Sequence, residues 1–312
     1  MMRTPTEMDR LREAASAILG TDHLTVVSKR FAELYLSDTH VLKFAKLEGL
    51  VGQGLTGEFK YLRAFAPEVD AKFYPGSSAQ GLCLRMRRLL PESQLSQHLY
   101  SCECQRADLH LRETMCDLVA LRTPVAEHPA REVLDALQNN VKRQSNLDEY
   151  LPEYQIIVHD LIKDAEENIR FLANEPIFAT GASIEVDLHG NLFSTNVWRV
   201  DDKFIALDPT SRSLLPSSLR LVGIIVDFIL LHPVRLKVAA LRSALELLAP
   251  EDELLFLISK LALVVKLLVR IRFATAEILL ADTEGWNRRL DTRIIATGRA
   301  GILSVQRLLE ES

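Results

Sequence analysis

Cysteine is scarce in this sequence: the 312 residues include four cysteines. Three of them, Cys102, Cys104 and Cys116, lie close together with His110 between them, and this set contains enough ligands for a zinc site. A helical pattern over residues 108–122 turns His110 and Cys116 in different directions, because residues six apart do not share a helix face. The sequence therefore favours ordinary reduced thiols, as expected in a cytosolic protein.

The sequence also lacks a basic excess and a long uncharged apolar run. Its formal net charge is −5, and no basic stripe dominates a segment, which argues against binding to nucleic acid. The longest apolar stretch, 254–281, contains four basic residues, so it lacks the span of about 20 uncharged residues that a membrane crossing needs. Residues 1–12 include acids and no apolar run, which predicts no secretory signal. We expect a cytoplasmic protein without a membrane partner.

Hydrophobic periodicity predicts an α+β protein with two lobes. A helix over 8–19, three short strands, a helix over 57–65 and strands at 72–74 and 81–87 form a small antiparallel-sheet lobe. After Pro91 the pattern is almost wholly helical; the predicted helices cover 106–122, 130–143, 152–173, 219–231, 234–248, 251–280 and 287–310. One hairpin, 196–200 with 203–207, interrupts the helices. The predicted units are a small mixed lobe, 1–90, and a helical lobe, 91–312.

The segment from Leu188 to Pro209 contains the pattern of a phosphoryl-transfer loop. Such a loop has a polar group beside the attacking hydroxyl, an oxygen ligand for Mg²⁺ about five residues further on, and a carboxylate for the same ion across a short hairpin. Asn191, Asn196 and Asp208 lie at these three positions. Asn191 is an amide where a carboxylate is expected. His189, just before the loop, is predicted to fix the loop by packing and hydrogen bonding.

The predicted small lobe contains candidates for binding a nucleotide. Lys43 lies in the middle of an apolar strand, where a charge is costly unless it is paired, and Glu58 is the first acid of the next helix. A lysine and glutamate in this arrangement hold nucleotide phosphates in kinase-like sites. An exposed edge-strand lysine and a glutamate at a helix N-terminus remain the alternative.

The remaining nucleotide contacts are less well defined by the sequence. The turn between the first two strands, 27–32, contains no glycine, although backbone N–H groups or Ser28 could contact phosphate there. The strand 83–87 runs towards Pro91 as a hinge between the lobes would, and Met86 and Leu89 are candidates to line an adenine ring. A strand that runs into a proline-stopped loop explains the same residues equally well.

The chain resembles the aminoglycoside phosphotransferase family, which has a protein-kinase-like fold. The resemblance rests on Lys43, Glu58, the stretch 189–191 with Asn196, and the stretch 205–209. The sequence of this last stretch is similar to that of the streptomycin and hydroxyurea phosphotransferase subgroup. It covers residues 24–231 and implies ATP and Mg²⁺ as cofactors and a small-molecule hydroxyl as phosphate acceptor. It also implies that Asp227 braces the catalytic loop.

The sequence departs from this family at Asn191, where the family has aspartate. An amide cannot accept the proton of the substrate hydroxyl. The loss of this general base is expected to lower the rate by about 10²–10⁴-fold. Three explanations remain: a pseudokinase that serves as an interaction or regulatory module, a slow kinase, and an active kinase that carries an engineered change. A helical scaffold that only resembles a kinase is a further alternative. Lys43, Glu58, Asn196 and Asp208 favour an enzyme, a kinase with an alcohol acceptor.

The acceptor and the assembly are the least defined properties. Acidic residues of the helical lobe suit a polycationic aminoglycoside, and they suit a solvated helix face equally well. They are Asp148, Glu149, Glu153, Asp160, Asp164, Glu166, Glu167, Glu251, Asp252, Glu253, Asp282 and Glu284. We expect an aminoglycoside-like antibiotic or a metabolite as acceptor, and a monomer or homodimer.

Overall fold

The computed structural model describes most of the chain. The described residues are 5–28, 32–45, 50–75, 83–101, 107–190, 192–209, 214–232, 238–249, 252–279 and 286–310. None of the helices within these ranges has the length and apolar character that a membrane crossing requires.

The beginning of the chain forms a five-stranded antiparallel sheet with a helix on each face. Its elements are α1 (Pro5–Leu19), β1 (Thr25–Ser28), β2 (Ala32–Leu36), β3 (His40–Ala45), α2 (Leu50–Phe65), β4 (Lys72–Tyr74) and β5 (Cys83–Arg87). The strands are arranged in the order β1-β2-β3-β5-β4. Strand β3 is therefore the central strand, with neighbours on both sides.

Alternation along β3 sends its side chains to opposite faces of the sheet. Leu42 and Phe44 are buried against Leu11 and Ala15 of α1. Lys43, between them, points to the other face, where α2 lies. The same alternation that buries the apolar residues thus brings the lysine to the side of the sheet that faces the rest of the molecule.

The remainder of the chain is mainly helical. Its elements are α3 (Leu95–Ser101), α4 (Ala107–Leu118), β6 (Val125–Pro129), α5 (Ala130–Gln144), α6 (Pro152–Leu172), α7 (Pro176–Ala179), β7 (Ser183–Asp187), β8 (Val197–Val200), β9 (Lys203–Ala206), β10 (Leu215–Pro216), α8 (Val222–Leu231), α9 (Val238–Leu248), α10 (Glu253–Leu279) and α11 (Trp286–Glu310). Helix α8 is the centre of this part. All of its residues are buried, and it packs against α10 and α11.

The predicted hairpin is present as β8 and β9, joined by Asp201 and Asp202. Both turn residues have left-handed backbones, with φ of 48° and 63°. This geometry matches the twist of two-residue hairpins, and aspartate tolerates it better than most residues with a side chain.

The expectation of one β interruption in the helical part was wrong. A second sheet, with strand order β10-β7-β6, lies in the same part of the chain. Helix α3 was also missed, since its seven residues are too few for a clear period. The division of the chain at residue 90 stays a prediction, because the main apolar cluster joins Leu55, Leu62 and Leu84 to the side chains of later helices.

Candidate active site

Lys43 is the centre of a group of charges between the first sheet and the β8–β9 hairpin. Its Nζ donates to Glu58 Oε2 at 2.8 Å and to Asp208 Oδ1 at 3.1 Å. The lysine side chain is 18% exposed and that of Glu58 is 8% exposed, whereas Asp208 is 55% exposed. The pair of Lys43 and Glu58 is thus largely shielded from water, and Asp208 completes it from the solvent side.

This arrangement keeps Lys43 charged. Burial alone lowers the pKa of a lysine, but the carboxylates of Glu58 and Asp208 outweigh it and raise the pKa of Lys43 above its ordinary value. Burial raises the pKa of Glu58, and the ammonium of Lys43 opposes that rise. A permanent positive charge therefore lies at the edge of the group, next to an exposed carboxylate.

The hairpin brings residue 196 next to residue 208. Strand β8 pairs with β9 from Val197 and Ala206 onwards, and the N–H of Leu207 donates to the carbonyl of Asn196 at 2.8 Å. Asp208 follows directly and has a left-handed backbone, with φ of 60°. Non-glycine residues in this conformation concentrate at functional sites, where the surrounding structure holds them in place.

His189 is fully buried beneath the same strand end. Its Nε2 lies 3.0 Å from the carbonyl oxygen of Leu207, and its ring meets the ring of Tyr61 edge-on at 5.3 Å. Burial lowers the pKa of His189 to about 4, so the ring is neutral and Nε2 carries the proton that it donates. His189 therefore fixes the backbone just before Asp208 and is out of reach of a substrate.

A second buried charge group holds the segment after residue 191. Asp227 of α8 accepts from the N–H of Ser194 at 2.7 Å and from its hydroxyl at 2.6 Å. Arg270 of α10 lies on the other side of Asp227, with Nε at 3.2 Å from Oδ1, and also contacts Asp291 at 3.5 Å. The aspartate thus fastens the loop to two of the central helices, in the manner that the family resemblance implies for Asp227.

Comparison with known proteins identifies the fold. No protein-family model matches the chain, and no curated protein is similar enough in sequence to be a relative. Among solved structures, aminoglycoside phosphotransferase APH(4)-Ia is 12% identical, with 96% of this chain and 99% of that chain covered and a TM-score of 0.50. A variant of aminoglycoside 2'-phosphotransferase-IIIa in complex with GDP is 13% identical, with 99% and 97% covered and a TM-score of 0.52.

The chain has the protein-kinase-like fold of the aminoglycoside phosphotransferases. The predicted fold class is thereby confirmed, and the streptomycin subgroup stays a prediction. A further structure with this fold is a thermostable variant of APH(4)-Ia in a ternary complex with ADP and hygromycin B. It is 14% identical, covers 93% of this chain and 98% of its own, and has a TM-score of 0.50.

Two of the predicted site residues lie partly or wholly outside the described part of this phosphotransferase fold. Asn191 is outside it, although its neighbours Gly190 and Leu192 are described, and the same holds for the side chain of Ser28. Met86 and Leu89 are half-buried and pack against the main apolar cluster. Their contact with an adenine ring stays a prediction.

The donor chemistry of Asn196 and Asp208 fits Mg²⁺. This ion prefers oxygen ligands and takes one or two from carboxylates, with the rest from water and substrate phosphates. The exposed carboxylate of Asp208, beside an asparagine that immediately precedes β8, meets that need. Among the residues that the structure describes, no group of three or more histidines, cysteines, aspartates and glutamates could hold a metal ion. Cys102 and Cys104, two members of the cysteine and histidine set for which the sequence favours reduced thiols, lie outside these residues.

Sequence reasoning missed the contribution of α10 to the site. Lys266 and Arg270 are four residues apart on this helix, and both are buried. Lys266 donates to the carbonyl of Gly190, and Arg270 is linked to Ser194 through Asp227. Their signal in the sequence was a pair of cations at helical spacing within an apolar run. That pattern argues against a membrane span and does not reveal the partners of the two charges.

Proposed function

We propose that this chain is an ATP-dependent phosphotransferase of the aminoglycoside phosphotransferase family. It moves the γ-phosphate of ATP to a hydroxyl of a small molecule, an aminoglycoside-like antibiotic or a metabolite. The observation that carries this proposal is the contact of Lys43 with both Glu58 and Asp208. In a purely structural ion pair the exposed third charge is unnecessary, whereas a phosphate and metal site needs a fixed cation next to an accessible carboxylate.

Each predicted residue has a role in this proposal. Lys43, held by Glu58, binds phosphate oxygens. Backbone N–H groups of the turn 27–32, or the hydroxyl of Ser28, also contact the phosphates. Met86 and Leu89 line the adenine ring. Asn196 and Asp208 hold Mg²⁺, which neutralises charge on the phosphates when it is bound. His189 positions the backbone that leads to Asp208.

Asn191 determines how fast such an enzyme works. Its amide can hydrogen-bond the acceptor hydroxyl and hold it near the γ-phosphate, but it cannot take up the proton. Positioning and electrostatic stabilisation supply most of phosphoryl-transfer catalysis, so a slow reaction is compatible with this residue. We propose a cytoplasmic monomer or homodimer that acts on a small molecule and has no nucleic-acid partner.

The alternative is a pseudokinase that binds nucleotide and regulates a partner. Asn191 in the position of the catalytic base is the observation that favours it. The two functions differ in one measurable property. Restoration of a carboxylate at residue 191 produces transfer in the enzyme and none in the pseudokinase.

The test is single-turnover transfer from labelled ATP with kanamycin, hygromycin B, streptomycin and simple alcohols as acceptors. We expect Asn191→Asp to raise the rate with the correct acceptor by about 10²-fold or more, because a general base contributes that much. The double change Lys43→Met with Glu58→Gln should abolish this gain without leaving a buried unpaired carboxylate. Lys60→Ala, an exposed lysine of α2, is the control and should preserve it.

If the transfer experiment gives no product, a measurement of ATP–Mg²⁺ binding distinguishes the remaining explanations. Binding of ATP–Mg²⁺ without transfer in either form supports the pseudokinase. Absence of binding in both forms contradicts both functions and leaves a helical scaffold with a kinase-like shape.

A further inference from the structure

Gly190, the residue before Asn191, is held by two buried charged side chains. Its N–H donates to Asp187 Oδ2 at 3.0 Å, and its carbonyl accepts from Lys266 Nζ at 2.6 Å. Asp187 is 2% exposed and Lys266 is 7% exposed. The backbone of Gly190 is left-handed, with φ of 70°, a conformation that glycine adopts without steric cost. We call Asp187, Gly190 and Lys266 the glycine clamp.

A buried ammonium at this place needs a reason. Removal of a charge from water costs several kcal/mol unless the charge is paired and hydrogen-bonded, and an apolar side chain of similar length fills the same space in a helix core. Within the described ranges Lys266 has no carboxylate within ion-pair distance. Its ammonium instead lies on the Gly190 carbonyl and 5.6 Å from the centre of the Phe193 ring. The charge of Lys266 is thus directed at the loop backbone.

The contact reaches the catalytic position through the covalent chain. The carbonyl of Gly190 and the N–H of Asn191 belong to one peptide unit, which is planar and rigid. Lys266, a strong donor to the Gly190 carbonyl, therefore restrains the peptide unit between residues 190 and 191. Asp187 accepts from the Gly190 N–H and restrains the peptide unit between residues 189 and 190. Two successive peptide units before residue 191 are held in this way.

The glycine clamp holds one end of the loop, and the contacts of Asp227 with Ser194 and Arg270 hold the other end. Arg270 lies one helical turn after Lys266 on α10 and reaches Ser194 through Asp227. The two cations lie on the same ring, Phe193, at 5.6 and 5.9 Å from its centre. One helix therefore holds the loop before and after residue 191.

We propose that Lys266 is a positioning residue of the phosphoryl-transfer site: together with Asp187 it sets the orientation of residue 191 relative to the acceptor hydroxyl. This inference rests on the proposed function. Its structural half, that Lys266 holds the loop, is measurable without any reaction.

The first experiment is hydrogen–deuterium exchange of a peptide covering residues 188–193. We expect Lys266→Met to accelerate exchange in this peptide by about tenfold or more, because the loop opens more often without the clamp. Lys260→Met is the matched control: Lys260 is another buried lysine of α10, six residues before Lys266, and its ammonium lies 5.3 Å from the centre of the Phe256 ring. Lys266→Arg, which keeps a charged donor, should restore most of the protection. Equal exchange in Lys266→Met, Lys260→Met and the wild type overturns the proposal.

The second experiment measures hydrolysis of ATP by water in the Asn191→Asp background, since the acceptor is unidentified. We expect Lys266→Met to lower kcat by about 10²-fold, the effect of a small misplacement of a catalytic group. The KM for ATP should change little, because the nucleotide residues are elsewhere. A fall in kcat that matches the loss of folded protein, measured by circular dichroism, indicates a merely structural role and overturns the proposal. Absence of ATP binding and hydrolysis in the parent protein refutes the proposed function, and the exchange result still decides whether Lys266 holds the loop.

Discussion

His189 shows how a single buried residue makes the fold sensitive to acid. In the folded protein its pKa is lowered to about 4 by burial, whereas the unfolded chain takes up the proton near the ordinary value of 6.5. The unfolded state therefore binds more protons between these two values, and stability is lost as the pH falls through this window. The difference corresponds to roughly 3 kcal/mol.

We expect the wild-type protein to lose more stability than His189→Gln between pH 6.5 and 4. Glutamine does not titrate and can still donate a hydrogen bond to the carbonyl of Leu207. Urea unfolding at several pH values in both proteins gives the measurement. Parallel stability curves across this window contradict a neutral, buried imidazole.

The individual site residues that the sequence predicts are those whose spacing places them in a recognisable strand or helix pattern. Lys43 and Glu58 could be paired in advance, because a charge within an apolar strand requires a partner and the next helix offers one. Lys266 could not be assigned, since its partner is the backbone carbonyl of Gly190, which has no sequence signal. Asp187 was missed for the same reason: it accepts from a backbone N–H.

The contact between α8 and the loop around residue 191 depends on a residue without a side chain. A Cβ atom on Gly223 would clash with the carbonyl oxygen of Leu192 and would lie 3.2 Å from the ring of Phe193. The first atom belongs to the backbone, so it cannot move aside without displacing the loop. Glycine at this position lets the central helix approach the segment that follows residue 191.

We expect Gly223→Ala to lower the free energy of unfolding by about 1–3 kcal/mol, the usual cost of overpacking in a core. Gly57→Ala in α2 is the control, because a Cβ atom there meets nothing within 4 Å. It should stabilise the protein by about 0.5–1 kcal/mol through helix propensity. Denaturant unfolding of both variants provides the test, and a neutral Gly223→Ala contradicts the close approach.

Elements were predictable in proportion to their length and periodicity. The long helices α5, α6, α10 and α11 were found near their observed limits, because each repeats its apolar residues over several turns. Strand β6 was missed because none of its residues is fully buried, and β10 consists of two residues. Both obtain their structure from pairing with β7, which is a tertiary contact that local sequence does not reveal.

At the scale of the whole molecule, the candidate site joins parts of the chain that are far apart in sequence. Lys43 and Asp208 are separated by 165 residues, and their contact connects the first sheet to the β8–β9 hairpin. The main apolar cluster also includes residues from both regions. A ligand that binds Lys43 and Asp208 together therefore stabilises the whole fold and not one lobe alone.

We expect ATP with Mg²⁺ to raise the melting temperature in a single transition. A ligand at 100 times its dissociation constant adds about 2.7 kcal/mol, which is roughly 4 °C for a protein of 312 residues. Asp208→Asn should remove most of this shift, because it deletes the charge that we propose binds the metal. Asparagine also tolerates the left-handed backbone at this position, so the variant changes the charge without adding backbone strain.

The matched control is Asp202→Asn in the hairpin turn. Asp202 has nearly the same backbone, with φ of 63° against 60° at Asp208, and it is exposed and pairs with Arg199 instead of Lys43. The two variants therefore make the same chemical change in the same conformation, and only one alters the proposed metal site. Scanning calorimetry with ATP alone, Mg²⁺ alone and both together completes the comparison. Equal shifts in the wild type and both variants contradict the assignment of Asp208, because a metal ligand cannot lose its charge without weakening the binding of nucleotide and ion together.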